Sequence, residues 1–247
     1  MTLNASSKLS KPKHATAWRF RDAITVFVVP VLAPVGLVLL LRIWSIMGLL
    51  PSAWSHFFAR EDPFATAVQY AVVLAVYGLL IVWLCWRRKA NLADLGWRKF
   101  RSRWLVVTIG AYVAQILLVI LAFAAVKALW PQISLDDKQE VFEFGLSGWG
   151  YALSFVSTVL VAPAVEETIF RGIMFPALGR KLPIWLAAVI SSAAFAILHG
   201  QLSVGIYTFL LGLILCWMAR KSHSIIPGVM LHFLNNLIAF LLLSAGK

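Results

Sequence analysis

Runs of about twenty consecutive apolar residues recur along this chain, and they limit its fold more than any other feature. A helix of that length crosses the roughly 30 Å hydrocarbon core of a bilayer with every backbone donor and acceptor satisfied inside the segment. Seven such runs can be drawn, at 23–50, 64–86, 104–130, from about 149 onward, 183–199, 202–219 and 225–244. They lack the alternation of apolar and polar residues that barrel strands carry. The expected fold is therefore all-α: a polytopic transmembrane helix bundle of about seven spans. Composition agrees, with 61% hydrophobic and only 13% charged residues, where a soluble domain carries about 25% charged. Residues 1–22 read as a basic tail and 23–247 as one helical membrane domain. The first run is too long for a cleaved signal segment and reads as a retained span.

A net charge of +12 would suggest nucleic acid in a soluble protein. Here the cations sit between apolar runs, where they set topology and meet anionic lipid headgroups, so nucleic acid is excluded as a partner. Lys8, Lys11, Lys13, Arg19 and Arg21 precede the first run. Seven Lys and Arg lie between Arg87 and Arg103, and the pairs Arg180–Lys181 and Arg220–Lys221 follow the fourth and sixth runs. Acidic residues gather in the other connections, at Glu61 and Asp62 and at Asp136, Asp137, Glu140 and Glu143. Basic and acidic connections alternate, which predicts the amino terminus inside and the carboxyl terminus outside. Tryptophans near the ends of the runs fit an interfacial belt. The stretch 91–98 within the second connection is expected to be a short interfacial helix or turn. Cys85 and Cys216 lie in apolar runs and indicate neither a disulfide nor a metal site.

The later runs carry polar residues that the first three almost lack. Glu166, Glu167 and Arg171 interrupt the fourth, His199 ends the fifth, and His232, Asn235 and Asn236 lie in the seventh. Each ionisable group at the centre of a bilayer costs about 2.5–3.5 kcal/mol on insertion scales, so such groups face the bundle interior and pair. Glu167 and Arg171 are four residues apart on one helix face and are expected to form an ion pair. Glu166, about 100° round the helix, is then the free carboxylate. Pro163 lacks an N–H and is expected to leave the Val159 carbonyl unpaired, with a kink. For Glu166 to reach the depth of His199, the fourth helix must continue past Arg171 toward Arg180. The turn after His199, at Gly200 and Gln201, must be sunk in protein. His232 and Asn236 share a face, and helix geometry does not choose between Asn235 and Asn236.

These groups suit peptide hydrolysis. A desolvated carboxylate can act as general base toward water, a neutral histidine can hold the same water, and a histidine and an amide can stabilise an oxyanion. Glutamate and two histidines could instead bind zinc, although the spacing is not that of the His-Glu-x-x-His proteases. A membrane interaction protein that keeps these residues for folding, or a proton- or ion-coupled transporter, would use the same residue types. No internal repeat supports the transporter.

Glu166-Glu167-Thr168-Ile169-Phe170-Arg171, Phe195-Ala-Ile-Leu-His199 and His232-Phe-Leu-Asn-Asn236, in that order, resemble the motifs of the CPBP family of intramembrane proteases. That family includes the type II CAAX prenyl endopeptidases and the Abi-like immunity proteins. The resemblance places the protease core at about 149–244. It implies that Glu166 and His199 activate water, that His232 and Asn236 form the oxyanion site, and that Glu167 and Arg171 support them. It also implies an endopeptidase acting on a membrane-anchored or lipid-bearing substrate, surrounded by membrane lipids, in a cell membrane. A glutamate-dependent mechanism without a cofactor is the preferred expectation, with zinc dependence as the alternative.

Overall fold

The computed structural model describes residues 18–49, 63–135 and 148–245. The tail lysines, Trp54 and the acidic connections at residues 61–62 and 136–143 lie outside the described residues. Within them the chain is helical, without strands. Its helices are α1 (Phe20–Ile46), α2 (Pro63–Arg88), α3 (Arg103–Leu129), α4 (residues 148–178), α5 (Ile184–Ile197), α6 (Leu202–Ser222) and α7 (Ile226–Ala245). Four of them, α3, α4, α6 and α7, are long and apolar enough to cross a membrane by length and composition. The 14 residues of α5 give about 21 Å at 1.5 Å per residue. That falls short of the roughly 30 Å hydrocarbon core, so α5 ends part-way across.

The amino-terminal segment, the α2–α3 connection and the α4–α5 and α6–α7 turns meet at one end of the bundle. Trp18 Nε1 donates to the Asp94 carbonyl at 2.9 Å, and Arg180 Nη1 donates to the Trp18 carbonyl at 3.3 Å. The Ile225 N–H donates to the Gly96 carbonyl at 2.9 Å, and Ser224 Oγ donates to the Arg98 carbonyl at 2.6 Å. The basic connections expected on one side are thus gathered at one end. The stretch expected to be a helix or turn is a turn, closed by Gly96 at φ +87°, a left-handed conformation that favours glycine.

α4 is the central element. Its second half, from Glu167 to Phe175, is buried at every position among α1, α2, α5, α6 and α7. Side chains from five segments close around it, including Trp18, Val26, Leu84, Phe195 and Cys216. Lipid tails are as apolar as leucine, so this packing is held by close contact and polar links more than by the hydrophobic effect. Asp22 at the start of α1 takes a two-point ion pair from Arg88 at the end of α2, at 2.6 and 3.0 Å. Ser191 on α5 donates to the Phe170 carbonyl at 3.2 Å.

α4 does continue past Arg171, to Leu178, as the depth argument requires. It is not a plain kinked helix, however. It is α-helical over Gly148–Ser154, π-helical over Phe155–Val161, α-helical over Ala162–Glu167, π-helical over Thr168–Met174 and α-helical again over Phe175–Leu178. In the first π stretch the Ala162 N–H reaches back five residues to the Ser157 carbonyl. If that register continues one residue further, the carbonyl opposite Pro163 is that of Thr158 rather than Val159. A second correction concerns the turn after α5. It is only partly sunk in protein: Gly200 is exposed while Gln201 is half-buried with its Oε1 enclosed, and α5 stops at Ile197 because its last turn tightens into three-residue bonds, His199 N–H to Ala196 O and Gly200 N–H to Ile197 O. Trp104, expected in the interfacial belt, is buried and meets the exposed Trp217 edge-on at 5.7 Å.

Candidate active site

The short α segment between the two π stretches ends on the two glutamates. Glu167 points into the bundle and is fully buried. Its Oε1 accepts a hydrogen bond from Arg171 Nη1 at 2.8 Å, the i, i+4 pair expected from the spacing. The same oxygen lies 3.3 Å from His232 Nδ1 on α7. A carboxylate only accepts hydrogen bonds, so Nδ1 carries a proton, and the other ring nitrogen is Nε2. That Nε2 faces Glu166 Oε2 at 3.7 Å. Glu166, at 28% side-chain exposure against 0% for Glu167, is the open member of the pair.

Close packing brings these groups together. A Cβ built on Gly212 of α6 would lie 2.8 Å from Ser192 Cβ and 3.1 Å from Arg171 Nη2. Only glycine lets α6 approach α5 and the arginine at once. Phe195 of α5 is the second organiser. The Arg171 guanidinium lies over its ring at 4.6 Å from the centroid. The rings of His199 and His232 meet it edge-on at 4.9 and 5.6 Å. His199 Nδ1 is 2.9 Å from the Phe195 carbonyl. A carbonyl also only accepts, so His199 is protonated at Nδ1 and presents Nε2 as an acceptor. No hydrogen bond joins His199 directly to Glu166 or His232 among the described residues; the Phe195 ring stands between the two histidines.

Asn236 closes the other side. Its Nδ2 donates at 2.8 Å to the Thr158 carbonyl, the acceptor opposite Pro163 in that register. Asn235 turns away into a second polar cluster. Its Oδ1 accepts from Tyr207 of α6 and, at 3.3 Å, from Gln115 of α3, while its Nδ2 donates to Asn236 Oδ1 at 3.3 Å. Sequence reasoning missed Gln115 and Tyr207. The signal was present: Gln115 is a lone amide in an apolar run, the same oddity that singled out Asn235 and Asn236.

Among the described residues no three His, Cys, Asp or Glu side chains are arranged to hold a metal ion. Glu167 is occupied by Arg171 and His232, and His199 Nδ1 by a backbone carbonyl.

The geometry thus brings Glu166, Glu167, Arg171 and His232 into one polar centre, with His199 linked to it through Phe195 and Asn236 through α4. Comparison with known families finds a match over residues 148–238 to the family described as type II CAAX prenyl endopeptidase Rce1-like. No curated protein and no solved structure matches the chain. The matched segment runs from the start of α4 into α7 and holds all six of the residues singled out above. Over that segment, which is less than half of the chain, the protein is similar to the Rce1-like type II CAAX prenyl endopeptidases, and the match supports membership of the CPBP family.

Proposed function

We propose that this protein is an intramembrane endopeptidase that hydrolyses a peptide bond in a membrane-anchored or lipid-bearing substrate, with Glu166 as general base. The observation that carries this is the 3.7 Å gap between Glu166 Oε2 and His232 Nε2. It is too long for a direct hydrogen bond and leaves room for one bridging water. With His232 neutral, both facing atoms are acceptors. The water therefore donates one proton to each, and its remaining lone pairs point outward toward a substrate carbonyl carbon. On attack, the water oxygen bonds that carbon, and its proton passes to the Glu166 carboxylate. When the tetrahedral intermediate collapses, Glu166 returns the proton to the leaving amine nitrogen, giving a carboxylate and an amine.

The local tautomers refine the roles that the family resemblance implies. In their neutral forms His199 and His232 offer lone pairs at Nε2, so His232 acts on the water, and it can donate to an oxyanion only once protonated. The second N–H of Asn236 is the donor available throughout. Glu167 and Arg171 fix the tautomer and position of His232. No step is routed through a metal.

Glu166→Gln tests this reading. The expected result is a folded protein whose cleavage of a membrane-anchored peptide falls by about 10²–10⁴, the range for loss of a general base. A folded variant with undiminished cleavage would sink the proposal. Running both proteins with and without a strong chelator separates the zinc alternative. Cleavage that survives thorough chelation supports the glutamate mechanism, and cleavage abolished by chelation and restored by zinc overturns it.

A further inference from the structure

A second feature, unrelated to the glutamate centre, lies at the end of the bundle where the basic connections meet. A cavity of about 550 Å³ opens between the α2–α3 connection and the α6–α7 turn. One wall carries Lys99, Arg101 and Arg103, and the other carries Lys221 and His223, with Trp104 between them. No carboxylate lines it. An adjoining cavity of about 370 Å³ shares His223 and adds Arg98, Arg180 and Arg220, with Asp94 as a carboxylate among them. Loop cations scattered only to satisfy a topology rule need not converge on a cavity. These do, from two segments more than a hundred residues apart.

We infer that this cavity binds the phosphate headgroup of an anionic phospholipid. The cations supply the charge complement for a phosphodiester. Depth and the adjacent surface argue for a lipid over a free anion. The cavity lies where two apolar spanning helices end, α3 at Arg103 and α6 at Ser222, which is headgroup level. The exposed Trp217 near the end of α6 marks the same level. From there an exposed apolar stripe, Val106, Ile109, Val113 and Leu117, runs down α3. A diacyl lipid with its phosphate in the cavity would lay its chains along that stripe. The bound headgroup bridges the two segments already joined by Ser224 to the Arg98 carbonyl and Ile225 to the Gly96 carbonyl. It therefore tightens the clamp around α4 and stabilises the folded chain.

The test uses the full chain in detergent with phosphatidylglycerol, phosphatidylcholine or inorganic phosphate added. It is read by native mass spectrometry of retained lipid and by the thermal midpoint. Phosphatidylglycerol is expected to be retained and to raise the midpoint above the phosphatidylcholine value, and inorganic phosphate is not. Lys99→Gln/Arg101→Gln/Lys221→Gln should weaken phosphatidylglycerol binding on the order of 100-fold, at about fivefold for each cation removed near a membrane surface. The charge-matched control Arg21→Gln/Arg87→Gln/Lys89→Gln, exposed at the same end, should leave it unchanged. If the triple variant fails to fold, Lys221→Gln alone should still show the fivefold loss. Equal losses in variant and control would overturn the site in favour of diffuse surface charge. Inorganic phosphate reproducing the whole effect would overturn the lipid as its occupant, and so would a wild-type protein indifferent to phosphatidylglycerol. None of these results bears on Glu166.

Discussion

Glu166 and Glu167 are adjacent in the chain, yet they hold opposite positions in the fold, and their substitutions should separate accordingly. Glu167 and Arg171 are buried together, and Arg171 also lies against Phe195. Arg171→Met removes the cation and strands a buried carboxylate, with His232 its remaining neighbour. Breaking a buried pair from one side costs about 3–5 kcal/mol, so the thermal midpoint in detergent should fall sharply. Glu167→Gln/Arg171→Met should recover part of that loss, because no uncompensated charge remains. Glu166→Gln, at a partly open position, should stay within about 1 kcal/mol of the parent. Equal destabilisation by Arg171→Met and Glu166→Gln would contradict the division of labour. At this scale the sequence was readable where the rule is local. The i, i+4 spacing identified the Glu167–Arg171 pair, and two carboxylates about 100° apart could not serve the same point equally; in the fold they face different nitrogens of His232. Gln115 and Tyr207 escaped because their significance is a meeting of α3, α6 and α7 at Asn235, which no spacing within one run encodes.

The element that matters most, α4, was legible as a long helix through the motif but not as one that changes register twice. A proline announces a missing hydrogen bond. Which carbonyl it orphans depends on the register, and the register depends on partners from other helices. Asn236 takes up the Thr158 carbonyl and Ser191 the Phe170 carbonyl, so the two π stretches are sustained by tertiary contacts, as π segments at functional sites often are. This gives Asn236 a structural task beside its proposed catalytic one, and the two can be separated. Asn236→Leu should cost about 1–3 kcal/mol by leaving a buried carbonyl unpaired. Pro163→Ala restores a backbone N–H that can serve the Thr158 carbonyl, so in the Asn236→Leu background it should recover stability. Cleavage should not recover with it, because the amide that faces the substrate is still absent. Recovery of both together would reduce Asn236 to a structural residue. Failure to recover stability would show that another donor, and not the missing proline N–H, determines the register.

Across the whole molecule, hydropathy was enough to read the helical bundle, because in a bilayer only a closed set of backbone hydrogen bonds can span. The grouping of the basic connections at one end was legible for the same reason. The turn after the fifth run was legible at Gly200 and Gln201, but the stop of α5 at Ile197 and the exposure of Gly200 were not, because they rest on the tightened bonds over residues 196–200. Nor was the role of the turn at residues 91–97, which the sequence offers only as a short interfacial element. In the fold it is a clamp on the central helix. Trp97 Nε1 donates to Thr168 Oγ1 at 3.0 Å, and Thr168 donates on to the Ala164 carbonyl at 2.7 Å, just before the two glutamates. A Cβ added to Gly172 would stand 2.3 Å from the Leu95 carbonyl oxygen, a contact with backbone that no side-chain rotation can relieve. Gly172→Ala must therefore push the turn away from α4, and overpacking of this kind costs about 1–3 kcal/mol. The expected readouts are a lowered thermal midpoint and faster limited proteolysis between residues 89 and 101, where Lys89, Arg98, Lys99 and Arg101 offer trypsin sites. Gly110→Ala, on α3 with nothing within 4 Å of the added carbon, is the matched control and should change neither. If Gly172→Ala leaves both the midpoint and the cleavage rate of the turn at control values, the turn does not hold α4, and the central helix is positioned by its helical neighbours alone.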